Sequence, residues 1–245
     1  MLFKTKGIVM RTVKYGETSL VATVFTELFG MQSYMVNGVR TSSPKTAQKA
    51  GLFQPSTLLD MVVYHQDSKS LQRIKESRWA VLYNDIFRDI RKNAVALFMV
   101  ELLQTCVKQP EAHPDLFQFM EDALLQLDAA GALEAANYPL YFALHLAHFF
   151  GYRISDDHDG IHSVLDLREG EFVTEPPMHP DWVGGQQAEL ISQLLKCMHP
   201  SDLASVRLNQ DMRRQLLRSV LIFYALRNAD FRGLRSVPVL QEVLD

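Results

Sequence analysis

Apolar and polar residues alternate through the first third of the chain, and apolar residues then recur every three to four positions through the rest. The first rhythm is that of half-buried strands and the second that of amphipathic helices. Lys4 to Val13 is rich in β-branched and apolar residues, and Tyr15-Gly16-Glu17-Thr18 is turn chemistry. Ser19 to Phe25 is a second strand, with Leu20, Ala22 and Val24 on one side and Val21, Thr23 and Phe25 on the other. Phe29-Gly30 turns the chain into a third strand, Gln32 to Val36, which ends at the strong turn pair Asn37-Gly38. Arg40 to Lys49 is rich in Ser, Thr and Lys and is expected to be a mobile basic loop. Thr57 to Tyr64 and Leu71 to Ser77 are the last two strands, joined by Gln66-Asp67-Ser68. Five short strands separated by turn signals predict a small closed barrel rather than an open sheet.

From Trp79 the period changes. Val95, Phe98, Met99, Leu102, Leu103 and Cys106 follow the spacing of one buried helical stripe. Leu116, Phe119, Met120, Ala123, Leu124 and Leu127 repeat it, and Gly131 is the predicted stop. Asn137-Tyr138-Pro139 predicts a helix start with proline in the first turn. The helix that follows, to Phe150, is apolar on nearly every side and is expected in the middle of a bundle. Tyr152 to Trp182 has no helical stripe and reads as an irregular insertion with a short hairpin at Val164 to Val173. Helices resume at about Gln186 to Met198 and at Asp211 to Asn228, the latter with Leu217, Val220, Leu221 and Tyr224 inside. The expected class is α+β: a barrel over 1–79, then an α-helical domain over 80–245 with the insertion at about 152–182.

Charge divides at the same boundary. Up to Trp79 there are 11 Lys and Arg against 5 Asp and Glu; from Ala80 onward there are 14 against 23. The net charge of −3 conceals a basic module of +6 joined to an acidic one of −9. One part suits polyanions and the other suits proteins. The apolar stretches fall short of the ~20 residues a membrane span needs. The amino terminus carries no apolar signal core, so a cytoplasmic protein is expected. Cys106 and Cys197 each fall on an apolar stripe without a Cys-x-x-Cys partner, and are expected to be core residues.

Three constellations carry candidate chemistry. Arg11, Lys14, Arg40, Lys45, Lys49, Arg73, Lys75 and Arg78 fall on strands or loops of the barrel, with Tyr15, Tyr34, Tyr64 and Phe53 among them. Single strands bind such surfaces through cations for phosphates and aromatic faces for bases. Tyr15, Tyr34 and Phe53 are the candidate stacking residues. No motif for sequence-specific base reading is present. His145 and His148 lie on the apolar helix and are expected to pack there, while His158, His162 and His179 lie in the insertion beside Asp156, Asp157 and Asp159. Their spacing is not that of a metal site, and a hydrolase using His158, His162 and Asp159 ranks behind the non-enzymatic readings. Arg207, Arg214 and Arg218, spaced by seven and four, would share one helical face if their helix begins early enough. Beside an apolar groove, such a face can hold an acidic peptide with an apolar end. No nucleophile elbow, P-loop or dinucleotide glycine motif occurs, so no catalytic residue and no cofactor is expected.

The run Gly7-Ile-Val-Met-Arg-Thr-Val-Lys-Tyr-Gly-Glu-Thr-Ser-Leu-Val-Ala-Thr-Val-Phe-Thr-Glu-Leu-Phe-Gly30 resembles the opening of the bacterial recombination mediator family RecO. Val36-Asn-Gly-Val-Arg40, Leu52 to Tyr64 and Leu71-Gln-Arg-Ile-Lys-Glu76 resemble its later barrel strands in order. The helix from Tyr138 to Gly151 and the tail Phe231 to Leu240 are also similar. The resemblance implies an OB-fold followed by an α-helical domain, in a DNA repair protein of the RecF pathway. It implies binding of single- and double-stranded DNA, annealing of complementary strands, and help in loading RecA on coated strands. The implied partners are DNA, the acidic C-terminal tail of single-stranded DNA-binding protein (SSB), and RecR. Many members carry a four-cysteine zinc site in the region of Tyr152–Trp182; this chain has no cysteine there, and no metal is expected. The alternative is a helical interaction scaffold whose barrel does not bind DNA.

Overall fold

The computed structural model describes residues 1–39, 50–107 and 109–244. The expected basic loop, with Arg40, Lys45 and Lys49, lies outside them. Five strands, β1 (Leu2–Tyr15), β2 (Ser19–Thr26), β3 (Gly30–Val36), β4 (Leu58–Tyr64) and β5 (Leu71–Trp79), close in the order β1-β2-β3-β5-β4. The β3–β5 pairing is parallel and the rest antiparallel. The predicted two-residue period decides what lies inside. Val9, Leu20, Ala22, Val24, Val36, Leu59, Met61 and Val63 fill the barrel.

The helices are α1 (Ile90–Cys106), α2 (Pro114–Ala129), α3 (Ala132–His148), α4 (Gln186–Lys196), α5 (Gln210–Arg227) and α6 (Ser236–Val243), with a 3-10 turn at Pro200–Ser205. Contacts divide the chain into two compact units. One is Met1–Asn84 with Val107–Leu125, and the other is Asp85–Cys106 with Gln126–Asp245.

In the first unit, the start of α2 covers part of the barrel wall. Phe25 points outward from β2, yet it is fully buried because Phe117 packs on it at 5.7 Å. Lys6 on β1 donates to Glu121 at 2.7 Å, and this hydrogen bond holds the ammonium pKa above its ordinary value against the opposing effect of burial. Gly30 turns β2 into β3 at φ +62°, and the segment before α2 passes so close that a Cβ there would run into the Glu111 carbonyl.

In the second unit, α3 is buried along most of its length. Tyr224 of α5 donates to the Ala143 carbonyl at 2.7 Å, and Asn137 to that of Val206 at 2.8 Å. Two expected boundaries move. Asn137-Tyr138-Pro139 is not a helix start, because α3 begins at Ala132 and carries Pro139 inside. Burial of Tyr138, Leu140, Tyr141 and Phe142 outweighs the roughly 3 kcal/mol an interior proline costs. Gly131 does not stop α2, which ends at Ala129; it precedes α3, and its N–H donates to Glu134. His145 packs on Tyr141, ring centroids 4.3 Å apart, but His148 is exposed rather than packed. Both cysteines are buried and free.

The insertion is more regular than its sequence implies. The expected hairpin forms between β6 (Val164–Asp166) and β7 (Glu171–Val173), and β8 (Trp182–Gly184) completes a three-stranded sheet. Polar groups fasten it. The buried Asp166 accepts from the Arg168 N–H at 2.7 Å and lies 3.2 Å from the His179 ring. Arg227 lies over the Phe223 ring at 3.6 Å and donates to the Leu167 and Arg168 carbonyls. No described helix is long and apolar enough to cross a membrane.

Candidate nucleic-acid interface

The barrel register sorts its cations into two sets. Val13, Val21, Met35, Arg73 and Tyr64 lie in one transverse row across β1-β2-β3-β5-β4. Arg11, Thr23, Ser33 and Leu71 form the neighbouring row. Both rows face outward, since the inward positions between them, Ala22, Tyr34 and Gln72, are buried. Arg11 and Arg73 thus both lie on the outward face of the barrel wall, on strands that are not neighbours in the ring. Lys14 and Tyr15 end β1 beside this face, exposed, and Lys75 follows Arg73 on β5. Among the described residues, Arg11, Lys14 and Arg73 have no carboxylate partner, and Lys75 meets the exposed Glu76 loosely at 3.7 Å.

The other set lies across β1, β4 and β5. There Lys6, Asp60 and Arg78 are in one row and Lys4, Val62 and Glu76 in the next. They line a groove of about 690 Å³ together with Glu27. Lys6 is held by Glu121 and Arg78 by Asp60, at 3.0 Å. The three cations and three carboxylates of this groove cancel, so it has little attraction for a polyanion.

The aromatic candidates divide in the same way. Tyr15 is 57% exposed and Tyr64, the cross-strand neighbour of Arg73, is 48% exposed. Tyr34 and Phe53, taken from sequence as stacking residues, are 0% and 2% exposed and belong to the barrel core. Burial pushes the Tyr34 phenol pKa well above its ordinary value. Neither can meet a base. The exposed apolar residues Val13 and Leu71, which sequence reading passed over, accompany the two outward tyrosines.

The carboxylates and imidazoles of the insertion do not converge. Asp159 and His162 pair at 3.0 Å, His158 packs edge-on to Phe172, and His179 belongs to Asp166. The His162 N–H and ring pull the exposed Asp159 carboxyl down to about 2. Among the described residues no three potential ligands are gathered as a metal site would need.

Of the three arginines expected on one helical face, two are there. Arg214 and Arg218 lie on α5, but Arg207 precedes the helix, whose cap is Asn209, its side chain accepting the Met212 N–H at 2.8 Å. Arg214 and Arg218 rim a groove of about 560 Å³ lined by Leu221, Ile222, Phe231 and Val237. Arg214 also borders a smaller apolar recess formed by Pro139, Leu140, Leu217, Leu240 and Leu244.

A closed five-stranded barrel with outward cations, followed in sequence by a helical region, is an α+β architecture that nucleic-acid-binding modules share. Comparison with known proteins narrows it. Residues 1–83 match the family described as Recombination protein O N terminal, and residues 88–232 match Recombination protein O C terminal. The chain belongs to the RecO family of DNA repair and recombination proteins. It is 31% identical to the DNA repair protein RecO of Bacteroides fragilis over the full length of both chains. It is 31% identical to that of Flavobacterium psychrophilum and 29% to that of Christiangramia forsetii, each over 99% of both chains.

Proposed function

We propose that the barrel binds single- and double-stranded DNA through its outer cationic face and anneals complementary strands, without catalysing a covalent step. The observation that carries this reading is that Arg11 and Arg73 both point outward from the barrel wall with no carboxylate partner among the described residues, and that Tyr15 and Tyr64 are exposed at the ends of their strands. Arg11, Lys14, Arg73 and Lys75, with Arg40, Lys45 and Lys49 from outside the described residues, would neutralise phosphates. Tyr15 and Tyr64 would stack on bases. Neutralising two strands lowers their mutual repulsion and lets complementary bases meet. The reading sets the protein to work in the cytoplasm with RecR, helping to load RecA on SSB-coated strands.

The test is binding to single-stranded oligonucleotides at several salt concentrations, paired with an annealing assay. Seven phosphate contacts correspond to a log–log slope of about −5 on single strands. A flat slope overturns the reading and leaves a helical scaffold that does not touch DNA.

The second part of the reading concerns the helical unit. The groove rimmed by Arg214 and Arg218 joins cations to an apolar floor, the chemistry that takes the acidic SSB tail with its apolar end. Arg207, which precedes α5, would contribute at most from outside the helix. Charge reversal of Arg214 and Arg218 together is expected to weaken tail-peptide binding and leave DNA affinity intact. Retained peptide binding would remove this part.

A further inference from the structure

The groove between α5 and α6 depends on a helix that cannot hold itself in place. α6 is eight residues long and buries one side chain of its own, Leu240. A helix this short is not stable alone. Its first turn also lacks a local cap. Arg235, at the cap position, is already in a helical conformation and supplies no side-chain hydrogen bond. The open N–H groups of a helix start need partners. Pro238, in the third helical position, has no N–H to satisfy. The Arg235 and Ser236 N–H groups do have partners, and both come from far away in sequence. Arg235 donates to Oε1 of Glu101 and Ser236 to Oε2, each at 2.8 Å. One carboxylate on α1 thus caps α6 with two charge-assisted bonds and faces the positive end of its dipole.

We propose that Glu101 is the positioning residue of the docking groove: by fastening α6 it builds the wall against which an acidic peptide with an apolar end lies. The proposal rests on the tail-binding reading above. Both recesses use α6. Val237 and Gln241 line the larger, and Leu240, Gln241 and Leu244 the smaller. When α6 leaves α1, Arg214 and Arg218 remain on α5 but the apolar wall opposite them is gone. Peptide affinity then scales with the fraction of molecules in which α6 is docked. Glu101 does this without lining either recess.

The experiment compares the full chain with its Glu101→Ala and Glu101→Gln variants. Hydrogen exchange reads the α6 amides, and fluorescence anisotropy reads binding of a labelled peptide of several aspartates ending in apolar residues. DNA affinity and the thermal midpoint serve as controls for global folding. Glu101→Ala is expected to speed α6 exchange by about tenfold or more, the equivalent of one lost charge-assisted bond. It is expected to weaken peptide binding several-fold while DNA affinity holds. Glu101→Gln keeps an acceptor oxygen and should restore part of both. Unchanged α6 exchange in Glu101→Ala, or faster exchange with unchanged peptide affinity, overturns the proposal alone. Failure of the unmodified protein to bind the peptide overturns the tail reading and this proposal with it.

Discussion

Replacing Arg11 and Arg73 together by alanine tests whether the outward rows of the barrel are the DNA face. The two side chains lie in neighbouring outward rows of the barrel wall, and neither has a carboxylate partner among the described residues. Each contact with a single strand contributes about 0.7 to the slope of log affinity against log salt. Losing two should reduce that slope by about 1.4. Extrapolated between 1 M and 0.1 M salt, the same loss is about 25-fold in affinity at the lower concentration. Anisotropy of a labelled oligothymidine over a salt series gives both numbers. Arg78→Gln is the matched control. Arg78 is a cation on the same barrel, but its guanidinium already holds Asp60 through two nitrogens. The control should leave the slope where it was. A double variant with an unchanged slope, or a control that lowers it equally, would refute the assignment of the face.

Three further outcomes follow from the packing. Gly30→Ala is expected to cost more than 2 kcal/mol, since it adds a clash with the Glu111 carbonyl to the ~1 kcal/mol of a left-handed alanine. Gly38→Ala, at φ +64° with no described atom within 4 Å of the added Cβ, should cost only about 1 kcal/mol; equal losses in urea denaturation would deny the clash. Lys92 is 5% exposed and donates to Asp85 and to the Asp128 carbonyl at 2.8 and 2.7 Å. Lys92→Met should therefore lower stability by about 2 kcal/mol and the thermal midpoint by several degrees, and an unshifted midpoint would contradict this. Burial lowers the His145 pKa below its ordinary 6.5, so as pH falls through that value the unfolded chain takes up the proton first and stability declines. His145→Gln should lose less stability than the parent between pH 7.5 and 5.5; equal losses would set the idea aside.

The barrel was legible in the sequence because each strand keeps its alternation and each hairpin carries its own turn residues. The same alternation holds information that counting aromatics passes over. Tyr34 shares its parity with Val36 and pairs across to Ala22, both inward, so the period alone assigns it to the core. Arg207 misled through spacing. The seven-residue step to Arg214 is helical, but Asn209 between them is a cap, and a cap marks a start. Pro139 shows the opposite failure, in which a sound local rule yields to the packing around α3. α6 was out of reach for a different reason. Eight residues carry too little periodicity to register, and its cap stands 134 residues earlier in the chain. Exposure of the two outward tyrosines depends on which walls α2 covers, which no local pattern encodes.

Ring closure of the five strands has a consequence for how anything can attach to this module. Every strand already has a neighbour on both sides, so none offers a whole free edge for a visiting chain to extend. Recognition must then pass chiefly through side chains and connecting turns. A partner's grip on the barrel can therefore be mapped largely by substitution.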